Sequence, residues 1–269
     1  MSITSLHSGA SALSALNTAL DVTANNLANV NTAGFKASRA NFQDLLYIEK
    51  TQPGIENATG QRTPTGLYVG LGVKVAGTQL DFAEGSPVRT DRPLDVLIEG
   101  HGFFRVNVQD SLGTGGVAYT RSGQFAVNNE GRLVLATDTG RALVDDITIP
   151  PNASNIKIDQ NGQVSVSIDG EAEPQVLDTI QTAVFVNPAG LSQVGENLFV
   201  ETAASGPPIV GDPGTENFGQ LQQGVYESSN VDPTRELIEL IRTQRAFEMN
   251  SQTIRAADEA LRTVANLRR

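Results

Sequence analysis

The sequence contains no cysteine and no tryptophan, and it has only two histidines. Without cysteine there can be no disulfide bond, thiolate metal site or cysteine nucleophile. His7 and His101 each stand alone in the sequence, so neither a catalytic triad nor a histidine metal site is predicted. Basic residues are also outnumbered, with 19 Lys and Arg against 30 Asp and Glu. The net charge of −11 argues against nucleic-acid binding, because a phosphate backbone requires a basic protein face.

The motifs that would indicate a cofactor or metal are incomplete. Gly70 and Gly72 begin a dinucleotide-binding pattern, but its third glycine would fall at Val75. Asp159 and Asn161 lack the remaining ligand spacing of a calcium loop, and a hairpin turn explains them. We therefore predict no catalytic residue, no cofactor, no metal and no enzymatic activity.

The N-terminal segment resembles neither a signal peptide nor a membrane span. Residues 1–7 lack the basic start and continuous apolar run of a secretory signal. Residues 2–20 are uncharged but interrupted by Ser, Thr and Asn, which is unsuited to a bilayer core. We expect no membrane insertion and, if the protein leaves the cytoplasm, no cleaved signal peptide.

Apolar residues recur every seventh position at both ends of the chain, where the charge is nearly neutral. The N-terminal series is Leu6, Leu13, Leu20 and Leu27, and the C-terminal series is Leu240, Phe247, Ile254 and Leu261. This period predicts amphipathic, coiled-coil-like helices. Asp232 is a suitable N-cap for the second, with Pro233 in its first turn. One series alone would suit a surface helix on its own domain, but two at opposite ends favour pairing of the termini. We predict that these eight residues form the assembly seam.

The middle of the chain predicts β-structure. Strand-like segments occur at 95–99, 102–108 and 182–186, and hairpins are expected around the turns 128–131 and 159–162. This middle is acidic, with a net charge of −12 over residues 46–231, and is expected to be solvated. A polar stretch at 49–64 indicates an extended linker or arm.

The predicted fold class is therefore α+β and discontinuous. Paired N- and C-terminal helices would accompany a mainly antiparallel β domain in the middle. The predicted domains are a helical core built from 1–45 and 225–269, an arm at 46–68, and a β-rich outer domain at 69–224.

An Asn-rich segment, NNLANVNTAGFK at 25–36, is the strongest local motif. Its residues predict a helix end, because Asn side chains can bond freed carbonyls and tolerate left-handed backbone. Gly34 would permit a sharp exit, and Phe35 could pack back onto the helix. The motif residues are Asn25, Asn26, Leu27, Ala28, Asn29, Asn31, Thr32, Gly34 and Phe35.

This motif resembles the signature of the bacterial flagellar basal-body rod and hook family. Further segments are similar in the same order, namely NFQDLLY at 41–47, GHGFF at 100–104, YTRSGQF at 119–125, GENLF at 195–199, ESSNVD at 227–232 and QRAFEMN at 244–250. Within the family, GLYVGLGV at 66–73 after a polar insert resembles the distal rod branch, and the proximal rod is the alternative.

The resemblance implies a structural subunit that polymerises helically into the drive shaft carrying motor torque to the hook. It implies as partners further copies of the chain, proximal rod subunits, the hook protein or hook–rod junction, and the bushing rings. It also implies a periplasm-spanning location and export unfolded by the flagellar secretion machine. Two other readings stay open, an enzyme or carbohydrate-binding β domain and a secreted β-rich binding module. The first would require a concave pocket with converging polar groups in 69–224.

Overall fold

The computed structural model describes residues 3–54, 56, 62, 64–168 and 173–267. Its regular elements in chain order are α1 (Ile3–Ala28), β1 (Ser38–Asp44), β2 (Tyr47–Thr51), β3 (Leu67–Gly70), β4 (Val73–Leu80), β5 (Pro87–Arg89), β6 (Val96–Glu99), β7 (Phe103–Asn107), β8 (Val117–Thr120), β9 (Phe125–Val127), β10 (Leu133–Leu135), β11 (Ala153–Ile158), β12 (Gln163–Ile168), β13 (Gln175–Thr179), β14 (Thr182–Val184), β15 (Ser192–Gly195), β16 (Leu198–Val200), β17 (Ile209–Gly211), β18 (Gln220–Gln223), β19 (Val225–Glu227) and α2 (Pro233–Leu267).

The chain divides into two compact units. The first, here called the terminal unit, consists of Met1–Ala28, Ser38–Gln79 and Asp232–Arg269. The second, here called the β unit, consists of Asn29–Ala37 and Leu80–Val231.

Helices α1 and α2 pack against each other in the terminal unit, which confirms the predicted pairing of the chain ends. The predicted N-cap of α2 is also confirmed. The Asp232 Oδ1 atom accepts hydrogen bonds from the backbone N–H groups of Thr234 at 2.9 Å and Arg235 at 3.2 Å. These bonds satisfy donors that have no partner inside the first turn of a helix.

The terminal unit also contains a β ribbon. Its proximal half is the pairing of β1 with β4, and its distal half is the antiparallel pairing of β2 with β3. Two backbone hydrogen bonds join the halves, from Leu45 N–H to Gly72 O at 2.9 Å and from Leu71 N–H to Leu46 O at 3.1 Å. Part of the polar stretch predicted as an arm thus lies in the distal half, and residues 55, 57–61 and 63 lie outside the described residues.

A six-stranded sheet, ordered β15-β16-β8-β7-β14-β17, organises the β unit. Successive side chains of a strand point to opposite faces, so Phe103 and Phe104 of β7 enter different clusters. Phe104 packs edge-on against Phe125 in the larger core, with ring centroids 5.1 Å apart. Phe103 packs among Phe82, Phe185 and other aromatic rings in a second core. Both faces of this sheet are therefore covered, and every strand pair with a described register is antiparallel, as predicted.

Both predicted hairpins are present. Strands β9 and β10 are joined by 128–131, where the Asn128 Oδ1 atom accepts bonds from two backbone N–H groups at 2.9 Å. Strands β11 and β12 are joined by 159–162. Each turn ends on a glycine with φ of +83°, Gly131 and Gly162, a conformation that glycine adopts without steric cost.

A buried ionic cluster links segments of the β unit that are distant in sequence. Glu227 accepts bonds from Lys36 Nζ at 2.7 Å and from Arg121 Nε at 2.8 Å, and all three side chains are at most 5% exposed. The backbone N–H of Gly85 donates to the same carboxylate at 2.8 Å. Arg121 also donates to carbonyls of Ile98, Gly100 and Gly102. Burial alone would raise the pKa of Glu227, but the charges and hydrogen bonds of Arg121 and Lys36 outweigh it and hold the pKa below its usual value.

The same cluster holds the two ends of the β unit side by side. The Gly34 N–H donates to Glu227 O at 2.8 Å, and the Asn230 N–H donates to Phe35 O at 3.3 Å. The Ala37 N–H donates to Asn230 Oδ1 at 2.7 Å. The segment entering the β unit at 29–37 is therefore bonded directly to the segment leaving it.

We predict that Glu227→Gln destabilises the β unit by about 3–5 kcal/mol, because Lys36 and Arg121 would remain buried without a counter-charge. The measurement is urea-dependent hydrogen exchange of β-unit peptides in the full chain. The control Glu130→Gln disrupts an exposed pair with Arg132 and should cost about 0–1 kcal/mol. Equal losses from the two variants would refute the stabilising role of the cluster.

The contribution of Glu227 should also depend on pH. Because its folded pKa is lowered, the stabilisation is present above the unfolded value of about 4.3 and is lost as pH falls through the folded pKa. We therefore expect the stability gap between the unchanged protein and Glu227→Gln to be constant near neutral pH and to shrink below that value. A gap that stays constant at low pH would contradict ionised Glu227 as its source.

Candidate functional site

The N-terminal leucines predicted to form the seam lie on α1, and each of the four is half-buried. More deeply buried residues lie between them. Ala15 is 3% exposed, Thr23 6% and Asn26 2%. At Gly9 an added Cβ would lie 3.0 Å from Ile254 Cγ1 of α2, so the helices approach closely there. Small residues, which the leucine period does not reveal, thus bring the two backbones together.

The C-terminal seam shows the same arrangement over most of its length. Leu240, Phe247 and Ile254 are half-buried, whereas Leu261 is 40% exposed. Between them, Thr243 and Ala257 are buried. Thr243 Oγ1 donates to Glu239 O of its own helix at 2.8 Å, so its hydroxyl is satisfied. The structure therefore leaves part of every seam side chain accessible within one chain.

A further set of large apolar side chains on α2 is exposed. These residues are Leu237, Ile238, Ile241, Met249 and Leu261, each 40–61% exposed. Exposed apolar groups that cluster on one element mark a surface for another protein more often than single scattered ones do. The sequence period did not select the first four, because they lie outside the seven-residue series.

Asn26 of the motif connects three elements of the terminal unit. Its amide bonds both backbone groups of Ser38, with Nδ2 donating to Ser38 O at 2.8 Å and Oδ1 accepting from Ser38 N–H at 3.0 Å. It also hydrogen-bonds Glu236 of α2. Burial raises the pKa of Glu236, and the bond from Asn26 partly opposes that shift. Asn26 thus holds the start of β1 against α1 and reaches α2.

Other motif residues form the tight turn that begins the β unit. The Thr32 N–H donates to Asn29 O at 3.1 Å, and Thr32 Oγ1 donates to Asn29 Oδ1 at 3.1 Å. The left-handed position is Gly34, with φ of +69°, and none of the motif asparagines has a positive φ. A Cβ at Gly34 would lie 2.6 Å from Ser122 N. Both the positive φ and the lack of space therefore require glycine at this position.

The remaining motif residues differ in exposure. Phe35 is buried and Leu27 is half-buried, whereas Asn25, Ala28 and Asn31 are exposed. The expected packing of Phe35 onto the helix stays a prediction.

The β unit contains an apolar concavity of about 570 Å³, lined by Phe82, Phe103, Phe185 and Val186 among others. Its charged lining is engaged elsewhere. Glu84 accepts a bond from Gly100 N–H at 2.6 Å, and Arg121 belongs to the buried cluster. His101 also lines the concavity, but its lining residues include no Ser, Thr, Cys or Lys. No acid, base and nucleophile therefore converge in it, as the enzyme alternative would require.

Two further observations concern metals and membranes. Within the described ranges, no three His, Cys, Asp or Glu side chains are grouped so that they could hold a metal ion. Neither α1 nor α2 has, over its described residues, an apolar stretch sufficient to traverse a bilayer.

Comparison with protein families gives three matches in chain order. Residues 6–36 match the flagella basal body rod protein family, residues 97–166 the flagellar hook protein FlgE/F/G D1 domain, and residues 222–267 the flagellar basal body rod FlgEFG protein C-terminal family. The first match covers the motif, and the last covers all of α2.

Individual relatives match over almost the whole chain. The flagellar basal-body rod protein FlgG of Caulobacter vibrioides is 43% identical over 264 residues, covering 98% of both chains. The FlgG proteins of Borreliella burgdorferi and Bacillus subtilis are 42% and 37% identical, covering 98% of this chain and 98% and 99% of theirs. These are structural proteins, in agreement with the predicted absence of enzymatic activity. The chain therefore belongs to the FlgG family of distal rod proteins of the bacterial flagellar basal body.

Proposed function

We propose that the chain polymerises with further copies of itself into a helical shaft that carries torque from the motor to the hook. The observation that carries this proposal is the exposed apolar face of α2, including Leu237, Ile241 and Met249. A helix that is 35 residues long and keeps such apolar side chains exposed in the single chain is suited to packing against neighbouring copies. Membership of a rod family supports the same conclusion.

A helical polymer requires heterologous contacts, in which one surface of a subunit meets a different surface of the next. The half-buried seam residues Leu20 and Phe247 suit this requirement, since each contacts its own chain and still offers accessible apolar area. Completing the burial of one such side chain contributes up to about 1.5–3 kcal/mol. The eight seam residues would thus bind both within and between subunits.

The remaining partners follow from position in the rod. Assembly with rod and hook proteins is what a rod subunit requires. We assign its ends to proximal rod subunits on one side and the hook protein or hook–rod junction on the other. The surrounding bushing rings would face the acidic β unit. The predicted helical core, arm and outer β domain would be the layers of this shaft, which would span the periplasm.

Substitution of apolar residues on the helices should prevent assembly while leaving the β unit folded. We expect rods from the purified unchanged protein at high concentration, and none from Leu20→Asp, Phe247→Asp or Ile241→Asp, because a carboxylate would be buried between apolar surfaces. Electron microscopy measures rods, and hydrogen exchange of β-unit peptides measures folding.

The variants separate contacts within a subunit from those between subunits. Ile241 is 49% exposed in the single chain, so Ile241→Asp should leave subunit stability unchanged, and Ile241→Leu should still form rods. Normal rods from Ile241→Asp would exclude this face as a contact. Monodisperse globules from the unchanged protein would overturn the proposal as a whole.

The arm should affect rod stiffness more than subunit folding. We predict that deletion of residues 52–63 gives shorter or more flexible rods. The deletion would change the positions of the apolar side chains of the distal ribbon half, which could then no longer make the same contacts with neighbouring copies. Leu46 and Tyr68, which flank the deletion, are 82% and 50% exposed. Rod curvature and length in electron micrographs measure the effect, and straight rods of full length would argue against it.

A further inference from the structure

The β ribbon of the terminal unit approaches α1 closely at Gly72. This residue has φ of +120°, and a Cβ placed on it would lie 2.1 Å from Ser11 Oγ and 3.1 Å from Ser8 Cα. A distance of 2.1 Å is far inside van der Waals contact, so the backbone of the ribbon rests directly on the helix. Conformation and space both exclude a side chain at this position.

Polar groups in the first turns of α1 lie beside the backbone of the ribbon at residues 70–73. Ser11 Oγ accepts a bond from Val73 N–H at 3.3 Å, and Ser8 Oγ donates to Gly70 O at 3.4 Å. The His7 Nδ1 atom lies 3.4 Å from Leu71 O. These distances are long for hydrogen bonds, so the contact between the ribbon and α1 depends mainly on the close approach at Gly72.

On its other side, the segment 70–72 is bonded to the residues that connect β1 and β2. The Leu45 N–H donates to Gly72 O at 2.9 Å, and the Leu71 N–H donates to Leu46 O at 3.1 Å. These bonds lie between the proximal half of the ribbon, β1 and β4, and its distal half, β2 and β3. The point where the ribbon changes from one half to the other is thus held both to its own second strand and to α1.

We propose that residues 70–72 form a fixed joint that sets the direction in which the distal half of the ribbon leaves α1. Ser11 and Gly72 are positioning residues in this joint. The mechanical consequence rests on the polymer proposed above, whereas the joint itself is a property of the single subunit. It gives a physical role to Gly72, one of the glycines of the segment 66–73.

The direction of the distal half matters because this half carries exposed apolar side chains. Its exposed apolar side chains are Leu46, Tyr47, Ile48, Leu67 and Tyr68, each 40–82% exposed. A strand of five residues spans about 17 Å, so a change of about 10° at the joint would move its far end by about 3 Å. A displacement of that size is comparable to an atomic diameter and would misplace these side chains against a neighbouring copy.

The first test measures the joint in the subunit by hydrogen exchange of the full chain. In Ser11→Ala, peptides covering 70–75 should exchange about fivefold to tenfold faster, because Val73 N–H loses its acceptor. Alanine is a better helix former than serine, so faster exchange there could not be attributed to loss of α1. The matched control is Gly77→Ala in β4, where an added Cβ meets nothing within 4 Å and exchange should not change.

The second test uses Gly72→Ala alone and together with Ser11→Ala. Alone, it should accelerate exchange of the whole ribbon and yield rods that are more curved than those of the unchanged protein. The double variant removes the nearest atom, Ser11 Oγ. It should recover part of the rod straightness and part of the exchange protection of the ribbon outside residues 70–75, even though the strained φ remains. Peptides of the β unit should be unaffected in every variant, which separates the joint from general instability.

The outcomes decide between the joint and the polymer. Unchanged exchange of the ribbon in Gly72→Ala, or no recovery in the double variant, would overturn the joint. Straight rods from Gly72→Ala despite a loosened ribbon would overturn its role in directing the arm. If the unchanged protein forms no rods, the proposed function fails, and exchange still decides whether the joint exists.

Discussion

The structure depends on one buried carboxylate. Glu227 is 1% exposed and is held by Lys36 and Arg121, two cations that are themselves buried. Removing three charges from water costs several kcal/mol for each, and only mutual pairing with nearly complete hydrogen bonding offsets that cost. Such a cluster tolerates few alternative arrangements. It therefore specifies which segments meet, and here it joins the entrance of the β unit at 29–37 to its exit at 225–231.

That junction lets one chain contribute two helices to a single unit. Strands β5 to β19 all belong to the β unit, although residues 38–79, between its first segment and its second, belong to the terminal unit. Gly34 makes the junction possible, because any side chain there would overlap the backbone at Ser122. Gly72 serves a comparable purpose in the terminal unit, where the ribbon rests on α1. In both places a glycine is required by close approach as well as by a positive φ.

Local patterns predicted much of this fold. The seven-residue period located both helices, Asp232 and Pro233 located the start of α2, and the turn sequences at 128–131 and 159–162 located two hairpins. Each of these signals involves neighbouring residues. The Glu227–Lys36 pair spans 191 positions, and no local pattern predicts such a contact. Strands β1 and β2 were not predicted, because most of their side chains are exposed and no alternation of apolar and polar residues marks them.

The sequence predicted which helices form the candidate seam but not which of their residues are the more buried. Large residues such as Leu13 and Phe247 dominate the period, yet Ala15, Thr23 and Ala257 are buried more completely than they are. Close helix packing selects small residues at its centre and leaves larger ones at its margins, where they stay partly accessible.

The two units therefore differ in how completely a single chain buries their apolar side chains. The β unit buries Phe104, Val106 and Ile180 fully within a single chain, whereas the terminal unit leaves its leucines half-exposed. A unit whose core is complete needs no neighbour for its stability, but one with accessible seams gains stability whenever another apolar surface covers them. In a rod, the terminal helices are then the elements whose order should depend most on assembly. The β unit should already be folded before assembly and so support these helices, because its ionic junction holds together the segments at which the chain first enters and finally leaves it.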